Sequence, residues 1–389
     1  MSNLVLNSEL LNRLVDGTES SKDEAYQIYQ DAEKDPTELY KVAQFLRNKN
    51  KGRIVTYSRK VFFNLINLCR DTCSYCTYKS EPGQTKISMM SKHDIQNLIA
   101  LGKKYKCTEA LFVTGERPEQ KYQEARTWLK QNGFVSTAEY LIHASEMVLA
   151  AGLFPHTNAG NLTKAEMKEL KNTNASLGLM LENSSERLSE KGMPHEFAPS
   201  KNPKARIKVL ENAGELRIPI TTGLLIGIGE SPFELIDSLY TVKDIHKKFG
   251  HIQEVILQNF QPKPDTAMKK MHSPHEKYFK TLVALTRIIM PEMNIQIPPN
   301  LSPISYSDFL AVGINDWGGI SPITPDYVNP EFPWPSIEAL NKNCANAGFE
   351  PRTRFPVYPE FLSFVNSDLK SKMMEMADFD GLVRGEHLK

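Results

Sequence analysis

The chain has 389 residues, 40% of them hydrophobic, enough for two average domains or for one large barrel, since (β/α)8 barrels run to about 250 residues and more with insertions. Its 47 Lys and Arg are matched by 46 Asp and Glu, a net charge of +1, which argues against a nucleic-acid stripe or an anionic-membrane surface and for a small molecule or another protein as partner. No apolar run reaches the roughly 18 residues of a membrane span and no apolar leader marks a secreted chain, so the cytoplasm is the expected compartment.

From Leu4 to Asn48 apolar residues recur at helical spacing, as in Leu10, Leu11, Leu14 and again in Leu39, Val42, Ala43, Leu46. Residues 1–50 therefore read as a helical cap of two or three helices, expected to close the bottom of a barrel. From Val61 onward short apolar strands alternate with helices, the pattern of a parallel α/β sheet. The strands fall at 61–67, 110–114, 153–157, 175–181, 220–226, 252–258, 294–298 and 314–318; the helices between them include 91–104, 137–151, 163–172, 203–215, 231–248, 275–290 and 336–347. Eight strand–helix repeats without a Gly-rich phosphate turn after the first strand predict an α/β fold of the closed (β/α)8 TIM-barrel kind over 51–350, preceded by the helical extension. Residues 351–389 are expected to pack on the barrel as a C-terminal extension.

The first strand ends in Cys69-Arg70-Asp71-Thr72-Cys73-Ser74-Tyr75-Cys76, three thiols spaced Cys-x3-Cys-x2-Cys. Three cysteines can wrap one compact centre, but a cubane of four irons needs four ligands, so one iron is left without a protein thiolate. A structural zinc site would need a fourth Cys or His at knuckle spacing, and His93 and Cys107 lie far downstream without partners. Five cysteines in the whole chain also fall far short of a disulfide scaffold. Cys107, Cys344, His143 and His246 read as core or surface residues.

The cysteine motif, with Tyr75 at its aromatic position, resembles that of the radical S-adenosylmethionine (SAM) enzymes. The resemblance implies a [4Fe-4S] cluster on Cys69, Cys73 and Cys76 whose fourth iron takes the amino and carboxylate groups of SAM, and whose reduction cleaves SAM to a 5'-deoxyadenosyl radical. Chemistry in such barrels gathers at the C-terminal ends of the strands. There the second strand gives Thr114-Gly115-Glu116, where the resemblance implies a hold on the SAM ammonium, and the fourth gives Glu182, which it implies for the ribose. Gly223, Gly227 and Ile228 at the fifth strand suit the adenine, small residues and an apolar side chain letting the base lie on the backbone. Later strand ends carry amides, hydroxyls and rings suited to a polar heterocycle with a sugar-alcohol chain: Gln258, Asn259, Asn300, Asp316, Trp317, Ser321, Thr324, Asp326 and Asn329.

Three stretches together resemble one family more closely: Thr56-Tyr57-Ser58, the cysteine motif, and Trp317-Gly318-Gly319-Ile320-Ser321-Pro322 running to Asn329-Pro330-Glu331 and Pro333-Trp334-Pro335. These are similar to 7,8-didemethyl-8-hydroxy-5-deazariboflavin synthase, subunit 1, of coenzyme F420 biosynthesis. That family implies ring closure of a 4-hydroxybenzyl–ribityl–dihydrouracil adduct with loss of ammonia, subunit 2 as the partner that makes the adduct from tyrosine, and an electron donor. Other readings are a different biotin-synthase-like radical SAM enzyme, such as subunit 2 or a menaquinone-pathway enzyme, and an iron–sulfur protein that only carries a cluster.

Overall fold

A computed structural model describes residues 6–388; Met1–Val5, where the helical reading begins at Leu4, and Lys389 lie outside the described residues. Three helices come first, α1 (Glu9–Val15), α2 (Lys22–Lys34) and α3 (Thr37–Lys51). They are followed by β1 (Ile54–Ile66), α4 (Lys92–Lys104), β2 (Glu109–Thr114), α5 (Pro118–Lys121), α6 (Gln123–Gln131), α7 (Thr137–Ala150), β3 (Phe154–Asn158), α8 (Lys164–Leu170) and β4 (Ser176–Gly178). The second half holds α9 (Pro203–Glu215), β5 (Ile220–Ile226), α10 (Pro232–Phe249), β6 (Ile252–Asn259), α11 (Glu276–Ile289), β7 (Ile295–Gln296), β8 (Asp316–Ile320), α12 (Ile337–Asn346), β9 (Glu350–Arg354) and α13 (Ser367–Met376).

Local chemistry sets the helix starts. Ser21, Ser91, Thr163 and Ser231 each close a capping box with an acid three residues on, satisfying two orphan N–H groups at each start. Strands β1 to β8 are parallel and close into a ring, β1 bonding to β2 through Lys60–Ile66 and to β8 through Thr56–Arg59. The chain therefore folds as a (β/α)8 barrel. Alternation along β1 sends Val61, Phe63 and Leu65 into the core beneath the helices, and turns Ser58 and Lys60 inward.

Strand β1 begins at Ile54 rather than at Val61, and its lower half also bears β9, which pairs with Ile54–Ser58. Arg354 at the end of β9 closes the floor of the barrel. It forks onto Asp316 at 2.7 and 3.0 Å and reaches Glu254 at 3.1 Å, while the Tyr358 hydroxyl donates to the same Glu254 oxygen at 2.5 Å. Of the N-terminal helices, α2 and α3 lie along α10 and α11. At the lower rim Arg47 donates to the carbonyls of Ile314 (3.0 Å) and Ile54 (2.8 Å), and Asn50 to that of Pro291 (3.0 Å). Residues beyond Arg354 build a second apolar cluster in which Phe355, Tyr358 and Leu369 cover Phe154 and Ala175. Between β7 and β8 two 3-10 turns, Pro299–Leu301 and Tyr306–Val312, stand in place of a helix. No helix among the described residues is long and apolar enough to cross a membrane.

Candidate active site at the upper mouth of the barrel

A cavity of ≈ 230 Å³ opens at the C-terminal ends of the strands, lined by all three of Cys69, Cys73 and Cys76 and by Tyr75, Gly115, Glu116, Glu182, Gln258 and Asn329 among the residues singled out on sequence. The cysteine loop leaves β1 and lies directly on the loop after β2. Gly115 permits this, since a Cβ there would collide with the Leu68 carbonyl and stand 2.9 Å from the Cys69 Cα. The two loops are then joined by the Arg70 N–H donating to the Glu116 carbonyl (2.8 Å) and the Glu116 N–H donating to Cys69 Sγ (3.2 Å).

Burial pushes the thiols of Cys69 and Cys73 up, to about 11 and about 12, against the lowering pull of the Glu116 N–H on Cys69 and of Lys201 on Cys73. All five cysteines are free, and no three His, Cys, Asp or Glu side chains among the described residues converge on a single ion position. Three thiols spread around one cavity suit a polynuclear centre rather than a lone zinc. Cys107 and Cys344 lie elsewhere in the core, Cys107 donating to the Lys60 carbonyl at 3.4 Å and Cys344 accepting from Trp317 Nε1 at 3.2 Å.

One carboxylate beside the thiols is held ready for a ligand. Glu116 is buried; its Oε2 accepts from the Asn161 N–H at 2.9 Å, but Oε1 has no hydrogen-bond partner, its nearest cation being Arg70 at 3.9 Å. An oxygen left dry and unpaired is costly, so this one is free to accept from a donor that enters the cavity. Gly160, at φ +71°, makes room for this carboxylate, which any Cβ there would strike. Across the cavity Glu182, also at positive φ, sits on a bridge to Leu224 and ion-pairs with Lys201. Tyr75 bonds to His195 Nε2 at 3.0 Å. Burial, with Lys201 and Arg206 nearby, holds that imidazole near 3, hence neutral.

Gly223, Gly227 and Ile228 do not line the cavity directly. Gly223 lets β5 approach the Ile256 carbonyl of β6, a Cβ standing 2.9 Å from that carbonyl carbon. Glu230 folds back to accept from the N–H groups of Gly227 (2.7 Å) and Ile228 (2.8 Å), fixing that loop. Ile228 then joins a small apolar cluster with Leu225 and Phe260, which do line the cavity, and Tyr75.

The remaining candidates divide by what holds them. Asn259 donates to the Leu301 carbonyl (3.0 Å) and Asn300 to Asp326 (3.0 Å), both away from the opening. Asp326 is the hub of the loop after β8: it also accepts from the N–H groups of Val328 (2.9 Å) and Asn329 (3.1 Å), while Ser321 and Thr324 bond each other at 2.6 Å. Thr324 in turn accepts from the Phe62 N–H on β1 (3.1 Å), which ties the loop across the mouth and carries Val328 and Asn329 into the lining. The expectation for Asp316 and Trp317 needs correcting: Asp316 points down to Arg354, and Trp317 packs outward, fully buried against Tyr306. Residues not singled out on sequence also line the cavity, chiefly Asp71, Asn158, Gly160, Lys201, Arg206 and Lys263. Asp71, Gly160 and Lys263 sit in irregular loops, where no hydrophobic period marks them, while Asn158 ends β3 and Arg206 lies in α9. Only the clustered charges of Lys201 and Arg206 offered a signal.

Comparison with known proteins agrees with this geometry. The family model described as Radical SAM superfamily matches residues 63–240. The 7,8-didemethyl-8-hydroxy-5-deazariboflavin synthase of Methanopyrus kandleri is 43% identical over 334 residues, covering 85% of this chain and 100% of that enzyme. The enzyme of the same name from Methanocaldococcus jannaschii is 42% identical, covering 87% and 93%. Among solved structures, the FeFe-hydrogenase maturase HydG from Carboxydothermus hydrogenoformans superposes with a TM-score of 0.72 over 94% of this chain and 87% of that one, at 21% identity, a likeness of fold. The chain belongs to the 7,8-didemethyl-8-hydroxy-5-deazariboflavin synthase family of radical SAM enzymes.

Proposed function

We propose that this chain is the ring-closing, ammonia-releasing subunit 1 of deazaflavin synthesis, a carbon–nitrogen lyase acting on a 4-hydroxybenzyl–ribityl–dihydrouracil adduct in the route to coenzyme F420. The observation that carries this reading is the match to the deazariboflavin synthase of Methanopyrus kandleri along 100% of that enzyme, at 43% identity. Cys69, Cys73 and Cys76 would hold a [4Fe-4S] cluster with one iron left for SAM. Once bound and reduced, that pair supplies the radical that removes a hydrogen atom from the substrate.

The protein's own part is binding, orientation and exclusion of water. Glu116 Oε1 offers the SAM ammonium an acceptor, and Glu182, once Lys201 is displaced, offers two to ribose hydroxyls. The loop fixed by Glu230, with Ile228, Leu225 and Phe260 behind it, gives the adenine an apolar wall. Gln258 and Asn329 face the substrate. Asp326, Asn300, Ser321 and Thr324 shape the covering loop instead, which Pro322, Pro325, Pro330 and Pro333 stiffen so that less conformational freedom is lost on closure.

Two substrates given separately to the reconstituted protein, under reducing and oxygen-free conditions with SAM, test the reading. The preformed adduct should give ammonia, 5'-deoxyadenosine and a fluorescent deazaflavin, and tyrosine with ribityl diaminouracil should give no adduct. Adduct formation from tyrosine would assign the chain to the partner reaction instead.

A further inference from the structure

Beneath the cavity described above, a second one of ≈ 100 Å³ lies inside the barrel and shares Asn158 and Met180 with it. The inner walls are charged, with Lys60 from β1, Glu109 from β2, His156 from β3, Glu254 from β6, Gln296 from β7 and Arg354 on the floor. Such groups are costly inside a barrel unless each is paired or serves a ligand.

Most are paired. Arg354 is spent on Asp316 and Glu254, and the Gln296 amide, its nitrogen assigned toward Glu254, lies 3.0 Å from that carboxylate. Lys60 differs. It is 7% exposed, and among the described residues its ammonium makes no hydrogen bond or ion pair, resting 4.4 Å from the Phe62 ring and 5.0 Å from that of Trp334. Gly319 leaves it room, since a Cβ there would stand 2.6 Å from Nζ.

His156 is the second free group. The Ser176 hydroxyl donates to the Pro356 carbonyl, so at 2.6 Å from His156 Nδ1 it must accept, which places the ring proton on Nδ1 and leaves Nε2 an acceptor. Burial pulls the imidazole down to about 4, so it stays neutral. Gly178, whose Cβ would stand 2.8 Å from Nε2, keeps that edge clear.

Resting on the function proposed above, we propose that Lys60 and His156 grip the end of the substrate furthest from the thiols by an imide-type edge, the Lys60 ammonium donating to a ring carbonyl and His156 Nε2 accepting the adjoining ring N–H. A cationic donor and a neutral acceptor on the walls of one cavity fit a carbonyl and an N–H in fixed order. The rings of Phe62 and Trp334 stand behind the Lys60 ammonium and hold it at the cavity wall. No bond forms or breaks there: both are positioning residues, which set what part of the substrate stands in the upper cavity.

Fluorescence titration of the deazaflavin product, which carries the same edge, into the reconstituted protein tests this. Lys60→Met and His156→Phe should each weaken binding by roughly tenfold to a hundredfold while iron content and SAM affinity hold. Gly319→Ala, which displaces Lys60 without changing charge, should act in the same direction and carries the test should Lys60→Met fail to fold. Methylation of the imide nitrogen of the ligand should weaken its binding to the unsubstituted protein as well. Unchanged affinity in these variants, or full affinity for the methylated ligand, would overturn the assignment. An unsubstituted protein that binds neither product nor adduct would instead overturn the function on which it rests.

Discussion

Arg354→Met is expected to cost about 3–5 kcal/mol of folding stability, the usual result of removing one partner from a buried charge cluster. Asp316 is fully buried and Glu254 nearly so, and Arg354 is the cation they share, Asp316 accepting at 2.7 and 3.0 Å and Glu254 at 3.1 Å. The loss should also depend on pH. Burial raises the Glu254 carboxyl to about 7, against the lowering pull of Arg354. A carboxyl raised in the folded state binds protons there that the unfolded chain releases, so its contribution is full below the ordinary carboxylate range and is lost as pH rises through about 7. Without the guanidinium that pull is gone, the carboxyl rises further, and the charged form becomes harder to bury. Denaturant unfolding at pH 5.5 and pH 8 should therefore show a larger deficit for Arg354→Met at the higher pH; an equal deficit at both would mean that the floor carboxylates do not titrate with folding.

Gly160→Ala should weaken SAM binding by roughly tenfold to a hundredfold, as much as Glu116→Gln, with the cluster intact, because both disturb one charge-assisted hydrogen bond. The new Cβ would strike the Glu116 carboxylate and push it off the Asn161 N–H. Gly160 is also at φ +71°, where any side chain brings strain, so the comparison needs a glycine with the strain alone. Gly133, at φ +86° with nothing within 4 Å of its would-be Cβ, supplies that control. Equilibrium SAM binding by the two alanine variants should differ by the full effect; if they bind alike, Glu116 is not the group that holds the ammonium.

The barrel was legible in the sequence where both faces of a strand are apolar, and the three thiols were legible because their spacing needs no fold to be read. Polar inward faces hid the rest. Thr56, Ser58 and Lys60 break the hydrophobic run of β1, which is why that strand reads as starting at Val61. Strand β9, Glu-Pro-Arg-Thr-Arg, reads as a charged loop, since only the folded floor supplies the carboxylates that bury Arg354. Asp316 and Trp317 point to opposite faces of β8, and a position at a strand end does not by itself say which face meets the ligand. Gly160, Lys201 and Lys263 come to the site from loops whose course depends on packing across the mouth.

The most direct measurement is the electron paramagnetic resonance spectrum of the reduced, reconstituted protein before and after SAM is added. About four irons should be present per chain, and unchanged in Cys107→Ala and Cys344→Ala, because a cubane held by Cys69, Cys73 and Cys76 needs neither. SAM should shift the spectrum, since one iron without a thiolate is there to take it. Iron lost with Cys107 or Cys344, or a cluster spectrum indifferent to SAM, would contradict an open-iron site at the mouth of this barrel.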